Sequence, residues 1–145
     1  MNELEFQQRT AVVKEAESWL GTAFHDHGEV KGAGVDCAKM VKLVYRDTGL
    51  IPDFEIKHYS PQFFLHRSTE AYMGYVLRFA HEIPESETKF GDLVLYKIER
   101  CFAHGAIVVG WPDIIHAWYR DKKVVRMRGF DAELGVKERK FFTFW

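Results

Sequence analysis

After Gly91 the chain passes through five short apolar stretches in close succession: 92–96, 103–109, 114–118, 124–127 and 140–145. The gaps between most of them are too short for a crossover helix, so neighbouring strands are predicted to run antiparallel. The chain before Gly91 reads differently. Val12, Ala16, Trp19 and Leu20 recur at helical spacing across residues 4–20, and Gly21 marks a stop. A second helix is predicted to start near Asp36, a good N-cap type, with Cys37, Met40, Val41 and Val44 on one face and Gly49 closing it. Between these two, GTAFHDHGEVKGAG is rich in Gly and reads as a loop. Ser60-Pro61 signals a third helix start, and the stripe Tyr72, Tyr75, Val76, Phe79 extends it to Ile83-Pro84. Helices first and strands after argue for an α+β fold, with helices packed on an antiparallel sheet of about five strands.

The chain has 145 residues, enough for one domain over 1–145, and 47% of them are hydrophobic, so a core can form without metal or disulfide staples. Two Cys rule out a disulfide-dense scaffold. Twenty Lys and Arg against 21 Asp and Glu leave a net charge of -1, which disfavours a dedicated nucleic-acid binder. No apolar run is long enough for a membrane span. MNELEFQQRT has no basic start and no apolar segment, so it does not read as a signal peptide. The expected location is the cytoplasm, unless other machinery exports the chain.

Cys37 stands where a helix begins after a Gly-rich loop. Free N–H groups and the helix dipole favour an anion there, so a thiolate, the nucleophilic form, is stabilised. The competing reading is a small buried hydrophobe. A nucleophile needs a base. His104, in CFAHGAIVVG, begins a predicted strand among small neighbours that leave room for another segment. His116, in DIIHAW, lies in an apolar run on the next strand, where a satisfied core histidine is the competing reading. A helix-start Cys followed by histidines on successive strands has the spatial logic of papain-like enzymes. His25, Asp26 and His27 form an H-D-H loop beside the proposed cleft. Of the metal-ligating types near Cys101, His104 alone has close spacing and a second pair is missing, so no metal and no other cofactor is expected. Cys101 itself reads as a free loop thiol. The ending FFTFW reads as a closing strand or as an aromatic end that docks into a larger assembly.

The blocks WLGTAF, the Asp-Cys of GVDCAKMVKLVY, FGDLVLY and HGAIVVGWPDIIHAW agree in order and spacing with a known pattern. The sequence resembles the NlpC-type (NlpC and p-sixty) family of cell-wall cysteine peptidases over about residues 16–118. WLGTAFHDHGEVKGAGVDCAKMV resembles the subgroup encoded by tailed phages and prophages, linked to tail assembly and penetration of the host wall. The resemblance implies a papain-like fold with Cys37 as nucleophile, His104 as general base and His116 as the residue orienting His104. It implies hydrolysis of an amide in peptidoglycan stem peptides, often between D-glutamate and a diamino acid. The implied partners are that peptide and phage tail proteins. Virion association would bring an enzyme without a signal peptide to the wall.

Two positions depart from the family pattern. Its Ser after the Cys is Ala38 here, and its loop Tyr is Phe24. The resemblance assigns those hydroxyls, with the Asp before the Cys, to holding the free amine of a stem peptide, and Asp36 alone remains. Asp36 reads equally as a helix N-cap. Phe24 and Ala38 are expected to border the cleft with it, and His25 and His27 to line it or, as the plainer reading, to stand exposed to solvent. The departures keep open an amidase or acyltransferase on another substrate, and a non-enzymatic tail module.

One expectation needs no family. For His116 to orient His104, both must share a sheet face, and side chains alternate along strands. A two-residue turn pairing Gly110 with Asp113 would set the histidines on opposite faces. Pairing Val109 with Asp113 makes them diagonal neighbours on one face, about 7–8 Å apart at the backbone. The same-face register, or a bulge that restores it, is therefore predicted.

Overall fold

The computed structural model describes residues 1–56 and 71–145. The helix start expected at Ser60-Pro61 lies outside the described residues. Helix α1 spans Glu3–Ser18, with Asn2 as N-cap accepting the Glu5 N–H at 2.8 Å. Its buried residues Arg9, Val12 and Ala16 share one face. The predicted loop then contains a two-stranded hairpin, β1 (Glu29–Val30) and β2 (Gly34–Val35). Helix α2 is Cys37–Asp47 and α3 is Ala71–Val76.

The remaining strands are β3 (His81–Ile83), β4 (Leu93–Ile98), β5 (Cys101–Gly110), β6 (Asp113–Trp118), β7 (Lys123–Arg128) and β8 (Arg139–Thr143). They form one sheet in the order β3-β8-β4-β5-β6-β7, antiparallel throughout. The fold class is the predicted α+β with N-terminal helices, but the sheet has six strands rather than about five. The addition is β3, which the helical stripe had absorbed. Three residues before Pro84 carry too little alternation to read, and their pairing partner is Phe141–Thr143 near the chain's end. Long-range pairing thus overrides the local pattern.

The sheet is buried on both faces. Leu93, Leu95, Ile107, Ile115 and Phe142 pack with Val12, Ala16, Met40, Val41 and Val44 of the helices. Val94, Tyr96, Ala106, Val108, Ile114, Trp118 and Phe141 pack on the other side with Leu134. That is why β4, β5 and β6 read as apolar runs without a polar alternation.

Arg9 fastens α1 to the sheet. It is 3% exposed, and its guanidinium donates to Asp92 Oδ1 at 2.8 Å, Phe90 O at 2.9 Å and Thr143 Oγ1 at 3.2 Å. Asp92, fully buried, also accepts the Lys89 N–H on Oδ2 at 2.8 Å. The Asp of FGDLVLY is therefore a structural anchor. A buried carboxylate is tolerable here because each oxygen is bonded and a cation faces it.

Candidate active site

Cys37 is placed by a chain of backbone pairing. Gly21 donates to Val124 O at 3.0 Å, Val124 to Thr22 O at 2.8 Å and Phe24 to Lys122 O at 2.8 Å, which lays residues 21–24 along the free edge of β7. Val35 donates to Ala23 O and His25 to Val35 O, each at 3.0 Å, so β2 follows on the far side of that segment. Gly34 permits this layering, because a Cβ there would lie 2.8 Å from His25 Cβ. The next residue after β2 is Asp36. It is the N-cap of α2, with Oδ1 accepting the Lys39 N–H at 2.8 Å. Its Oδ2 accepts the His27 N–H at 2.8 Å, so the carboxylate also ties down the loop. Cys37 is the first residue of α2.

The thiol lies in a gap in the sheet. Val108 donates to Asp92 O and accepts from Gly91 N on the β4 side, so the odd-numbered amides of β5 face β6. Ile107 pairs with Ile115, and there the β5–β6 ladder ends. The Gly105 N–H, which would continue it, is directed at the Cys37 sulfur instead, and the amides of Cys37 and Ala38 add to it. The sulfur therefore sits beside the His104–Gly105 peptide.

The histidines share a face. The turn does pair Gly110 with Asp113, the arrangement that would separate them, but a bulge at Val109 shifts the register to Val108–Ile114 and Ile107–Ile115. His104 Nε2 and His116 Nδ1 are 2.7 Å apart, a short hydrogen bond. Trp118 completes a triangle of rings, with centroids 5.0 Å from His104 and 5.0 Å from His116, the latter stacked at 18°. Sequence reasoning missed Trp118 as part of the site. The signal was available, since the same-face register puts Trp118 opposite His104.

Burial dominates the electrostatics. Cys37 is 3% exposed, His104 5% and His116 fully buried. Desolvation and the nearby Asp36 carboxylate raise the Cys37 thiol well above its usual range, against the three amides that lower it. The helix start favours the anion and burial opposes it. Burial pushes His104 down to about 3. Burial, and then the neighbouring His104, hold His116 well below its usual value. Burial thus favours the neutral forms of the thiol and of both imidazoles.

The expected substrate residues lie around the start of α2, with Phe24 in a β-bridge to Val35 and the His27 N–H on Asp36. Phe24 is half-buried against Val35, while His25 and His27 are exposed on the loop. Ala38 is 7% exposed and lines a small apolar cavity with Val41, Tyr45, Tyr72, Val76 and Phe79. Asp36 has both oxygens engaged by backbone amides. Cys101 is not a loop thiol: it begins β5, paired with Ile98, and is 3% exposed and unbridged. Among the described residues, no group of three or more His, Cys, Asp or Glu could hold a metal ion, and no helix is long and apolar enough to cross a membrane.

A search of curated proteins finds no match by sequence. Solved structures do match in fold. The NlpC/p60 domain of the peptidoglycan hydrolase SagA aligns with a TM-score of 0.63 and 21% identity over 91% of this chain and 96% of that one. NlpC1 from Trichomonas vaginalis aligns with a TM-score of 0.70 and 12% identity over 96% of this chain, which spans only 44% of that one. RipD from Mycobacterium tuberculosis, a non-catalytic NlpC/p60 domain protein adapted to peptidoglycan binding, aligns with a TM-score of 0.60 and 13% identity over 96% of this chain and 98% of that one. These likenesses establish a shared papain-like α+β fold. The NlpC/P60 pattern itself matches residues 21–134, which span Cys37, His104 and His116, and the chain belongs to the NlpC/P60 family.

Proposed function

We propose that the chain is a cysteine peptidase that hydrolyses an amide bond in the peptide stems of bacterial peptidoglycan, with Cys37 as nucleophile, His104 as base and His116 as the residue that orients it. The observation that carries this is the 2.7 Å bond between His104 Nε2 and His116 Nδ1, together with a thiol held beside the next residue of β5 by the Gly105 amide. With Nε2 engaged, Nδ1 is the nitrogen left to take the thiol proton. The Cys37 sulfur then attacks the amide carbonyl, and the imidazolium gives that proton to the leaving amine. A water molecule, deprotonated by the same imidazole, releases the acyl group. The Cys37 N–H at the start of α2 is the oxyanion donor. Membership in a family that includes peptidoglycan hydrolases supports the substrate class. RipD shows that the fold also serves without catalysis, and the complete Cys–His–His set argues for the active alternative here.

The proposed bond lies between D-glutamate and the diamino acid. The proposed setting is a phage or prophage tail, supported by the block from Trp19 to Val41. Synthesis would be cytoplasmic, with delivery to the wall by the virion. Ala38 and Phe24 lack the hydroxyls expected to hold a stem amine, and Asp36 is occupied by amides. That favours a second reading, an amidase or acyltransferase with the same thiol chemistry. The test is incubation with purified peptidoglycan, with Cys37→Ala and His104→Ala as controls and mass spectrometry of released fragments. Stem fragments from the wild type alone support the peptidase. Equal, background-level release from all three proteins contradicts it.

A further inference from the structure

Transfer of the Cys37 proton creates a cation on a histidine pair sealed from water. Tyr96, 6.2 Å from His104 between ring centroids, borders the pair from β4. Cys37 and its neighbour Asp36 approach from the start of α2. Asp36 opposes the thiolate, and its oxygens accept the Lys39 and His27 amides. The indole of Trp118 lies 5.0 Å from both imidazoles, stacked on His116 at 18° and tilted by 56° to His104, and is itself 4% exposed.

We infer that Trp118 is a positioning residue for the thiol chemistry, its indole face holding the His104–His116 pair in line and stabilising the imidazolium that forms when Cys37 gives up its proton. Two features support this beyond packing. Indole is the best of the aromatic faces for a cation, and the attraction is strongest in a desolvated site. The stack at 18° also fixes the plane of His116, and so the direction of the nitrogen that meets His104. Burial alone would leave the imidazolium unfavourable, as the depressed pKa of His104 shows. The inference rests on the Cys37–His104 reading, but not on any substrate.

The experiment follows alkylation of Cys37 by iodoacetamide against pH, reading the Cys37 peptide by mass spectrometry in the full chain. Near neutral pH the rate reports the thiolate–imidazolium pair. Above the thiol pKa it reports free thiolate, which needs no imidazolium. Trp118→Leu should slow the neutral-pH reaction on the order of tenfold and leave the high-pH limit unchanged. Trp118→Phe should fall between the two. An equal slowing at both pH values, or none at either, overturns the inference. If circular dichroism shows Trp118→Leu unfolded, Trp118→Phe decides, and a neutral-pH rate equal to wild type overturns it. His104→Ala separates the two levels: if it leaves the neutral-pH rate intact, the Cys37–His104 reading fails first.

Discussion

Replacing Arg9 with Met keeps the stem that packs under Trp145 but removes the charge. The guanidinium carbon lies 4.1 Å from the Trp145 ring centroid, and its nitrogens bond Asp92, Phe90 O, Thr143 and Glu5. In Arg9→Met the Asp92 carboxylate stays fully buried with the Lys89 amide but no cation. Breaking a buried ion pair from one side costs about 3–5 kcal/mol. At roughly 2–4 °C per kcal/mol for a chain of this size, the melting temperature should fall by about 6–20 °C. Urea unfolding and thermal melting of wild type, Arg9→Met, Asp92→Asn and the double variant supply the assay. The double variant should recover much of the loss, because the neutral carboxamide in place of the Asp92 carboxylate can still accept the Lys89 amide and needs no cation. An Arg9→Met loss below about 1 kcal/mol, or a double variant equal to the sum of the singles, would refute the view of this pair as the anchor of α1.

Stability should also depend on pH through the buried histidines. Both are depressed, so their contribution is whole above the unfolded value near 6.5 and is lost as pH falls toward about 3 for His104, at no more than roughly 1.4 kcal/mol per histidine per pH unit. Urea unfolding from pH 7.5 to 4 checks it, and a flat profile contradicts neutral burial. Gly105→Ala should destabilise by about 1–3 kcal/mol, because a Cβ would sit 2.2 Å from the Tyr72 hydroxyl oxygen, and Tyr72→Phe should recover part of that. Thermal melts decide, and a neutral Gly105→Ala contradicts the packing. Asp36→Asn retains a capping oxygen but removes the charge that raises the Cys37 thiol, so thiolate absorbance near 240 nm should appear at lower pH than in wild type. A shift upward contradicts the assigned role of Asp36.

The site was legible where local chemistry and alternation carry the information. Asp36 before an apolar face announced the start of α2, and strand parity tied His104 to His116. The turn at Trp111-Pro112 takes the two-residue form, yet the bulge at Val109 rescues the shared face. Bulges leave little trace in composition, so only the functional demand on the histidines anticipated it. What stayed hidden depended on distant partners. β3 exists through Phe141–Thr143, and Cys101 is buried through its pairing with β4. The pairing of residues 21–24 with β7 was concealed in a segment whose glycines read as loop, although there they allow strands to approach closely. The burial that opposes the Cys37 thiolate was not legible, because a helix start is visible in sequence while burial is not.

Product analysis in water enriched in oxygen-18 tests the central claim most directly. A soluble muropeptide with a complete stem is incubated with wild type, Cys37→Ala and His104→Ala. Hydrolysis through Cys37 predicts two fragments from wild type alone, with a single heavy oxygen in the new carboxylate. An intact muropeptide with all three proteins, or acyl-transfer products that carry no label, would contradict the peptidase.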